Sequence, residues 1–286
     1  MRIQNNVAAF NVWSSYNKNV TKMQESMGRL STGIIKNTDD PAGLGISERM
    51  RGQIKGTAMA RQNTDNAISM LQTADAWLQK VNDITSRMKS LAIEANGIAS
   101  DGDKKNIQIE FAALQDEIER ITSGDNAAAQ FNGVVLFSGS TTSIQVGPDA
   151  GQKVDLNIPN LAKTNTTTIG SYTNNAGAST SLNWNSVFST SFSVTSSDVL
   201  AQLDLVTNHV SNARAQMAAQ QNRLSQTRDG LLAYEDNLSA AESKIRDVDM
   251  ARETTEFSKY KVLSDTSNAM LAQANKLPEG IIKLLQ

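Results

Sequence analysis

One imidazole is available for chemistry in this chain: His209 is the only histidine, and cysteine is absent. A nucleophile with its base, or a zinc site, needs two or more such groups gathered at fixed spacing, and no HExxH run occurs. Lying beside Val210, His209 reads as a surface or partly buried helical position. Asp39 and Asp40 adjoin as an acid and base might, but Pro41 follows them, which makes a turn and helix cap the simpler reading. The glycines of PAGLGISERMRG form neither GxxxxGK[ST] nor GxGxxG after a strand, so no phosphate cradle is expected. The chain is therefore read as a non-enzyme that needs no cofactor or metal.

What the sequence does carry is helical periodicity. Val199, Leu203, Val206, Val210, Ala213, Met217, Gln220, Leu224, Thr227, Leu231, Tyr234, Leu238, Ala241, Ile245 and Val248 follow one another in alternating steps of four and three. Only Gln220 and Thr227 interrupt the apolar run, and either they set the register or the seam tolerates them. The spacing predicts one unbroken helix over 198 to 248, roughly 75 Å long at 1.5 Å rise per residue, with its seam against partner helices. Aromatics make up 5% of the 286 residues and prolines number four, which suits a thin core between helices. The fold expected is mainly α: an elongated coiled-coil rod with a small β-hairpin region and a short polar central excursion. A formal charge of −2 gives no electrostatic case for nucleic acid or an anionic membrane. No window approaches the roughly 20 apolar residues of a membrane span. MRIQNNVAAFNVWSSYNK lacks the apolar core of a secretory signal, so an exported form is expected to keep its ends intact.

Along the chain, Ile3, Val7, Phe10, Val20, Met27 and Ile34 mark a first helix with a sparse stripe, stable only against a partner. Gly33 weakens its end, and Asp40 with Pro41 starts a second helix to about Asn96. There Ala67, Met70, Ala74, Trp77, Val81, Ile84, Met88, Leu91 and Ala95 keep the same rhythm, so the two long seams should pack together. Gly43, Gly45, Gly52 and Gly56 predict bending in its earlier part. Gly97 stops it, SDGD at 100 to 103 caps a third helix, and Ile107, Phe111, Leu114, Ile118 and Ile121 form that helix's seam. Short runs in 130 to 160 read as antiparallel ribbon. The Ser-, Thr- and Asn-rich 163 to 197 reads as a loop or small β excursion on the outside, with plausible glycan acceptors that include Asn165 in an N-x-T sequon. The last helix carries Phe257, Tyr260, Leu263, Ser267, Met270, Ala274, Leu277, Ile281 and Leu284, with Pro278 kinking or shortening its final turns. Both outer helices are marginal, and their ordering is expected to come with assembly.

KIRDVDMARE at 244 to 253 and SNAMLAQANKLPEGIIKLLQ at 267 to 286 closely resemble the C-terminal signature of bacterial flagellins. RLSTGIIKNTDDPAG at 29 to 43, ARQNTDNAISMLQTAD at 60 to 75 and QFNGVVLF at 130 to 137 resemble the matching N-terminal signatures, in matching order. Ile35 and Lys36, Asn66 and Ala67, Asp265 and Glu94 depart from the family's usual residues. The short central segment excludes the large outer domains that some flagellins carry.

The resemblance implies a subunit that polymerises with itself into the flagellar filament and leaves the cell through the flagellar type III pathway. A hook-filament junction protein with the same end domains is the alternative. It also implies an inner domain from 1 to 40 plus 249 to 286, a helical domain from 41 to 162 plus 198 to 248, and a variable segment at 163 to 197. The residues expected to pack subunits together are Ile3, Val7, Phe10, Val20, Met27, Leu263, Met270, Leu277, Ile281 and Leu284. Further partners implied are the export apparatus, a flagellin chaperone, the filament cap and hook-associated proteins. Arg87, Leu91 and Glu110 match positions that the vertebrate Toll-like flagellin receptor contacts in such proteins.

Overall fold

The structure is a computed structural model that describes residues 6–35, 40–97, 100–123, 127–139, 141–174, 178–189 and 192–284, without the side chains from 277 onward. Five helices dominate: α1 (Val7–Thr32), α2 (Pro41–Ala95), α3 (Asp101–Thr122), α4 (Val199–Arg246) and α5 (Met250–Leu284). Three two-stranded antiparallel ribbons lie between α3 and α4 in sequence: β1 (Gln130–Phe131) with β2 (Val134–Val135), β3 (Thr142–Gln145) with β4 (Lys153–Leu156), and β5 (Thr168–Thr173) with β6 (Ser179–Asn183). The chain forms two compact units, Met1–Ile54 with Asp236–Gln286, and Lys55–Glu235. Among the described residues no helix is long and apolar enough to cross a membrane.

Helix boundaries follow the local chemistry of the sequence. Gly33 takes a left-handed φ of 69° and returns its N–H to the Arg29 carbonyl, which ends α1. Asp40 Oδ1 accepts from the Gly43 N–H at 2.9 Å, so α2 starts capped, with Pro41 in its first turn. Ser100 and Asp103 form a reciprocal capping box at the start of α3. The glycines of early α2 do not interrupt it, and at Gly56 the missing Cβ makes room for Pro148, whose own Cβ would lie 2.9 Å away.

The predicted α4 seam is buried residue by residue from Val199 to Leu231, apart from Gln220 and Thr227. The helix ends at Arg246, short of the expected 248, because Asp249 turns its carboxylate to the Ala251 and Arg252 N–H groups and starts α5. On α2 the buried set is wider than the predicted stripe and adds Leu71, Leu78 and Ala92. Two partners explain the width: Asp75 is ion-paired to Arg214 of α4 at 2.8 Å, and Arg87 to Glu110 of α3 at 2.6 Å. Arg61 with Glu235, and Lys89 with Asp204, extend the α2–α4 contact in the second unit. Such half-exposed pairs contribute about 0 to 1 kcal/mol each, so their alternating signs specify antiparallel register more than stability.

The central segment is not an outer loop. Leu182, Trp184, Val187, Phe192 and Val194 are buried in the core of the second unit. One face of α3 holds it: Phe111 stacks on Phe192 with ring centroids 5.8 Å apart, Gln115 Nε2 donates to the Val187 carbonyl at 2.5 Å, and Gln108 Oε1 accepts from the Val194 N–H at 2.8 Å. Asn165 is buried, its Nδ2 donating to the Asn160 carbonyl and its Oδ1 accepting from the Thr167 N–H, so the sequon amide is already used inside the fold.

Gln220 has a definite task. Its Nε2 donates to the Asn157 carbonyl at 2.8 Å and its Oε1 accepts from the Asn157 N–H at 3.1 Å, so one side-chain amide pairs with the backbone just beyond β4 as a neighbouring strand would. Replacing it with leucine would complete the apolar seam while handing both exposed backbone groups back to water. Gln220→Leu is expected to lower unfolding stability by about 0.5 to 1.5 kcal/mol in urea titration, the opposite of the gain that seam pattern alone suggests.

His209 sits half-buried against Trp184, with ring centroids 5.9 Å apart, and burial lowers its pKa from the ordinary 6.5. The folded chain thus takes up this proton less readily than the unfolded one. The associated stability is present above the unfolded value and is lost as pH falls through the folded one. Between about pH 7.5 and 5.5 the urea midpoint should fall for the native chain and stay flatter for His209→Gln, as judged by circular dichroism.

Candidate assembly surface of the first and last helices

In the first unit α1 and α5 run antiparallel. Asn6 Nδ2 donates to the Ala274 carbonyl at 3.0 Å, Asn19 Nδ2 to Ser267 Oγ at 3.3 Å, and Ser26 Oγ to the Glu253 carbonyl at 3.3 Å. At the far end of α1, Ile34 bridges Asp247, with Ile35 N–H on the Arg246 carbonyl and Val248 N–H on the Gly33 carbonyl. Residues sharing the helical face of these contacts are Ala9, Val12, Tyr16, Asn19, Met23, Ser26 and Leu30 on α1. On α5 they are Glu253, Phe257, Tyr260, Ser264, Ser267, Leu271 and Ala274. All are buried or half-buried, and each set keeps the alternating three and four of a two-helix seam.

This seam mixes small and polar residues with the half-buried Val12, Tyr16, Met23, Leu30, Phe257, Tyr260 and Leu271. Ser26, Ser264 and Glu253 are its buried polar residues, and Arg29 meets Glu253 at 2.9 Å with both side chains mostly shielded. Glu48 with Arg246 at 2.7 Å, and Arg51 with Glu242 at 3.9 Å, tie α2 to α4 within the same unit.

The large apolar residues singled out by the sequence lie elsewhere. Val7 is 64% exposed, Phe10 65% and Met27 48%, and Val20 is half-buried. Leu263 and Met270, placed on the predicted α5 seam, are 39% and 55% exposed, and Ser264 and Leu271, one residue on, take the inward positions. Trp13 joins Phe10 on the exposed surface, with ring centroids 6.0 Å apart, and Val262 is exposed beside Leu263. Ile3 lies outside the described residues, as do the side chains of Leu277, Ile281 and Leu284. Each outer helix thus carries two stripes of similar period, one turned to its partner and one open. The inward stripe was present in the sequence as Ala9, Val12, Tyr16, Met23 and Leu30, but ranking residues by size favours the open one.

Of the receptor-matching residues, Arg87 and Glu110 are joined and exposed, whereas Leu91 is 1% exposed and lies in the core. The candidates for chemistry stay apart. His209 faces Trp184, Asp40 caps α2, Asp39 lies outside the described residues, and the glycine-rich stretch is helical, its amides held by the helix. Among the described residues no three His, Asp or Glu side chains gather as metal ligands. What the arrangement offers is apolar surface on helices whose seam with each other is modest.

Known proteins resemble this chain over its whole length. Residues 3–142 match the bacterial flagellin N-terminal helical region and residues 200–285 the bacterial flagellin C-terminal helical region. A flagellin of Bacillus subtilis is 37% identical over 311 aligned positions, covering 100% of both chains. The flagellar filament core protein flaB2 of Brachyspira hyodysenteriae is 35% identical, and flagellin FlaB2 of Treponema pallidum 33%, each again over 100% of both chains. Both helical regions, in order and at full length, make this chain a member of the bacterial flagellin family.

Proposed function

We propose that the open stripes of α1 and α5 are the surfaces through which this filament subunit packs against further copies of itself. The observation that carries this reading is the exposure of Val7, Phe10, Trp13, Met27, Val262 and Met270 on two helices already paired through their other faces. Burial is worth about 1.5 to 3 kcal/mol per large apolar side chain, so these residues together supply on the order of 10 kcal/mol per subunit before ordering losses. One stripe meeting a different surface on the next copy, with a rotation that does not close, generates an open helical polymer. Ile3, Leu277, Ile281 and Leu284, whose side chains lie outside the described residues, are proposed on sequence pattern alone to pack subunits as well.

Export through the flagellar type III pathway, with a chaperone for the free chain and a cap and hook-associated proteins at the filament ends, completes the reading. A seam between α1 and α5 whose larger side chains are only half-buried favours passage of the chain in an open state, because little packing is lost on separating the helices. The helical units, with no gathered catalytic groups among the described residues, serve as structural material.

Phe10→Asp and Met27→Asp should change monomer stability by no more than about 1 kcal/mol, since both residues are largely exposed and Phe10 touches only the exposed Trp13 ring. Both should abolish elongation of filament seeds by purified monomer, read by light scattering and electron microscopy. Arg29→Ala should instead destabilise the monomer by about 3 to 5 kcal/mol, because it strands the Glu253 carboxylate. Normal elongation by Phe10→Asp and Met27→Asp would contradict the assignment.

Recognition by a vertebrate Toll-like receptor is proposed to rest on Arg87 and Glu110, with Leu91 supporting α2 beneath them. Arg87→Glu should abolish receptor signalling while the chain still melts as a folded protein. Leu91→Asp would test the core instead, since it places a carboxylate among Phe111 and its buried neighbours in one apolar cluster.

A further inference from the structure

A proline within a helix leaves one carbonyl without its donor. Pro278 has no N–H, so the carbonyl four residues earlier, that of Ala274, lacks the i+4 partner that defines the α-helix. The expectation that the helix shortens there does not hold, since α5 continues to Leu284. Asn6 supplies a donor from outside the helix: its Nδ2 gives a hydrogen bond to the Ala274 carbonyl at 3.0 Å. The Oδ1 of the same amide accepts from the Ala9 N–H at 3.0 Å and caps α1.

A single side chain therefore completes the start of α1 and repairs the proline gap in α5. The two tasks need an acceptor and a donor about one amide width apart on a short stem. Aspartate has the acceptor but not the donor, serine reaches only one of the two sites at a time, and glutamine is a methylene too long for the cap.

We infer that Asn6 is a positioning residue for polymerisation, a clip that makes the first turn of α1 and the last turns of α5 order as one. When the clip is closed, Val7 and Phe10 stand at a fixed register against α5 and meet the next copy together. When it opens, two helix ends fray separately, and both must be ordered during docking. The inference rests on the filament reading above and adds the residue that sets its geometry.

The test is a cycle of native chain, Asn6→Asp, Pro278→Ala and the double variant, measured as critical concentration in seeded elongation. If the native chain fails to elongate seeds, the filament reading falls, whatever the variants do. Asn6→Asp keeps the cap acceptor and adds a negative charge at a helix N-terminus, so a capping role alone leaves assembly unchanged or improved. The clip instead predicts a critical concentration raised about fivefold or more, the value of one hydrogen bond and its unpaired carbonyl. Pro278→Ala restores a backbone donor to Ala274, and on that background Asn6→Asp should shift the critical concentration by less than about twofold. Amide hydrogen exchange of α5 beyond Ala274 in the monomer gives the same contrast and decides the matter if Pro278→Ala itself does not elongate. Faster exchange on Asn6→Asp only when Pro278 is present supports the clip. No effect of Asn6→Asp, or an equal effect on both backgrounds, overturns it.

Discussion

A helix can turn only one face to a given partner, and in the first unit α1 and α5 meet through faces that mix small, polar and apolar residues. Ala9, Asn19 and Ser26 meet Ser264, Ser267 and Ala274, side chains that bring two helices close while removing little apolar area from water. Register comes from directional contacts: the shielded Arg29–Glu253 pair, Asn6 on Ala274, and the short bridge of Ile34 with Asp247. Val7, Phe10, Trp13, Met27, Val262 and Met270 are left outside. In the proposed filament these exposed residues are the ones that further copies cover.

The second unit has the larger core. A seam that α4 shares with a broad face of α2 is buried there, although Met59, Ile93, Ile109 and Leu232 stay exposed. Thr64, Thr85 and Thr122 each donate to the carbonyl four residues earlier, while Thr57 Oγ1 is buried without a partner. Ribbons and the central segment are fastened by glutamines that reach from helices to backbone groups, Gln220 to Asn157 and Gln115 to Val187. In the first unit, among the described residues, Ala274 alone of the apolar residues is buried.

How much of this was legible in the sequence varied with the number of partners each element has. Along α4 one seam faces one neighbouring groove, so the three-and-four rhythm named the buried residues from Val199 to Leu231 directly. In α1 two stripes compete, and sequence alone weights Phe10 and Met27 above Ala9 and Ser26; on α5 the rhythm placed Phe257, Tyr260, Ser267 and Ala274 inward as observed and slipped by one residue at Leu263 and Met270. The central segment does form the small β excursion expected, β5 with β6, but the burial of Leu182, Trp184, Val187, Phe192 and Val194 was not legible, because Trp184, Val187 and Phe192 follow a turn of 3₁₀ helix and a loop instead of a regular element. Gln220 stood out as a polar break in the α4 rhythm but its partner did not, and Asn6 carried no periodic signal. Their partners are backbone groups of Asn157 and Ala274, distant in sequence, and backbone leaves no mark in a residue pattern, although Pro278 did announce that one carbonyl near it would need help.

The claim on which the account stands is that the open stripe of α1 is solvent-facing in the monomer and covered in the filament. Because the chain has no cysteine of its own, Met27→Cys places a single thiol on that stripe. Maleimide labelling of this thiol should be rapid in the monomer and essentially absent once the same molecules have been polymerised onto seeds. Equal labelling rates in monomer and filament would contradict it.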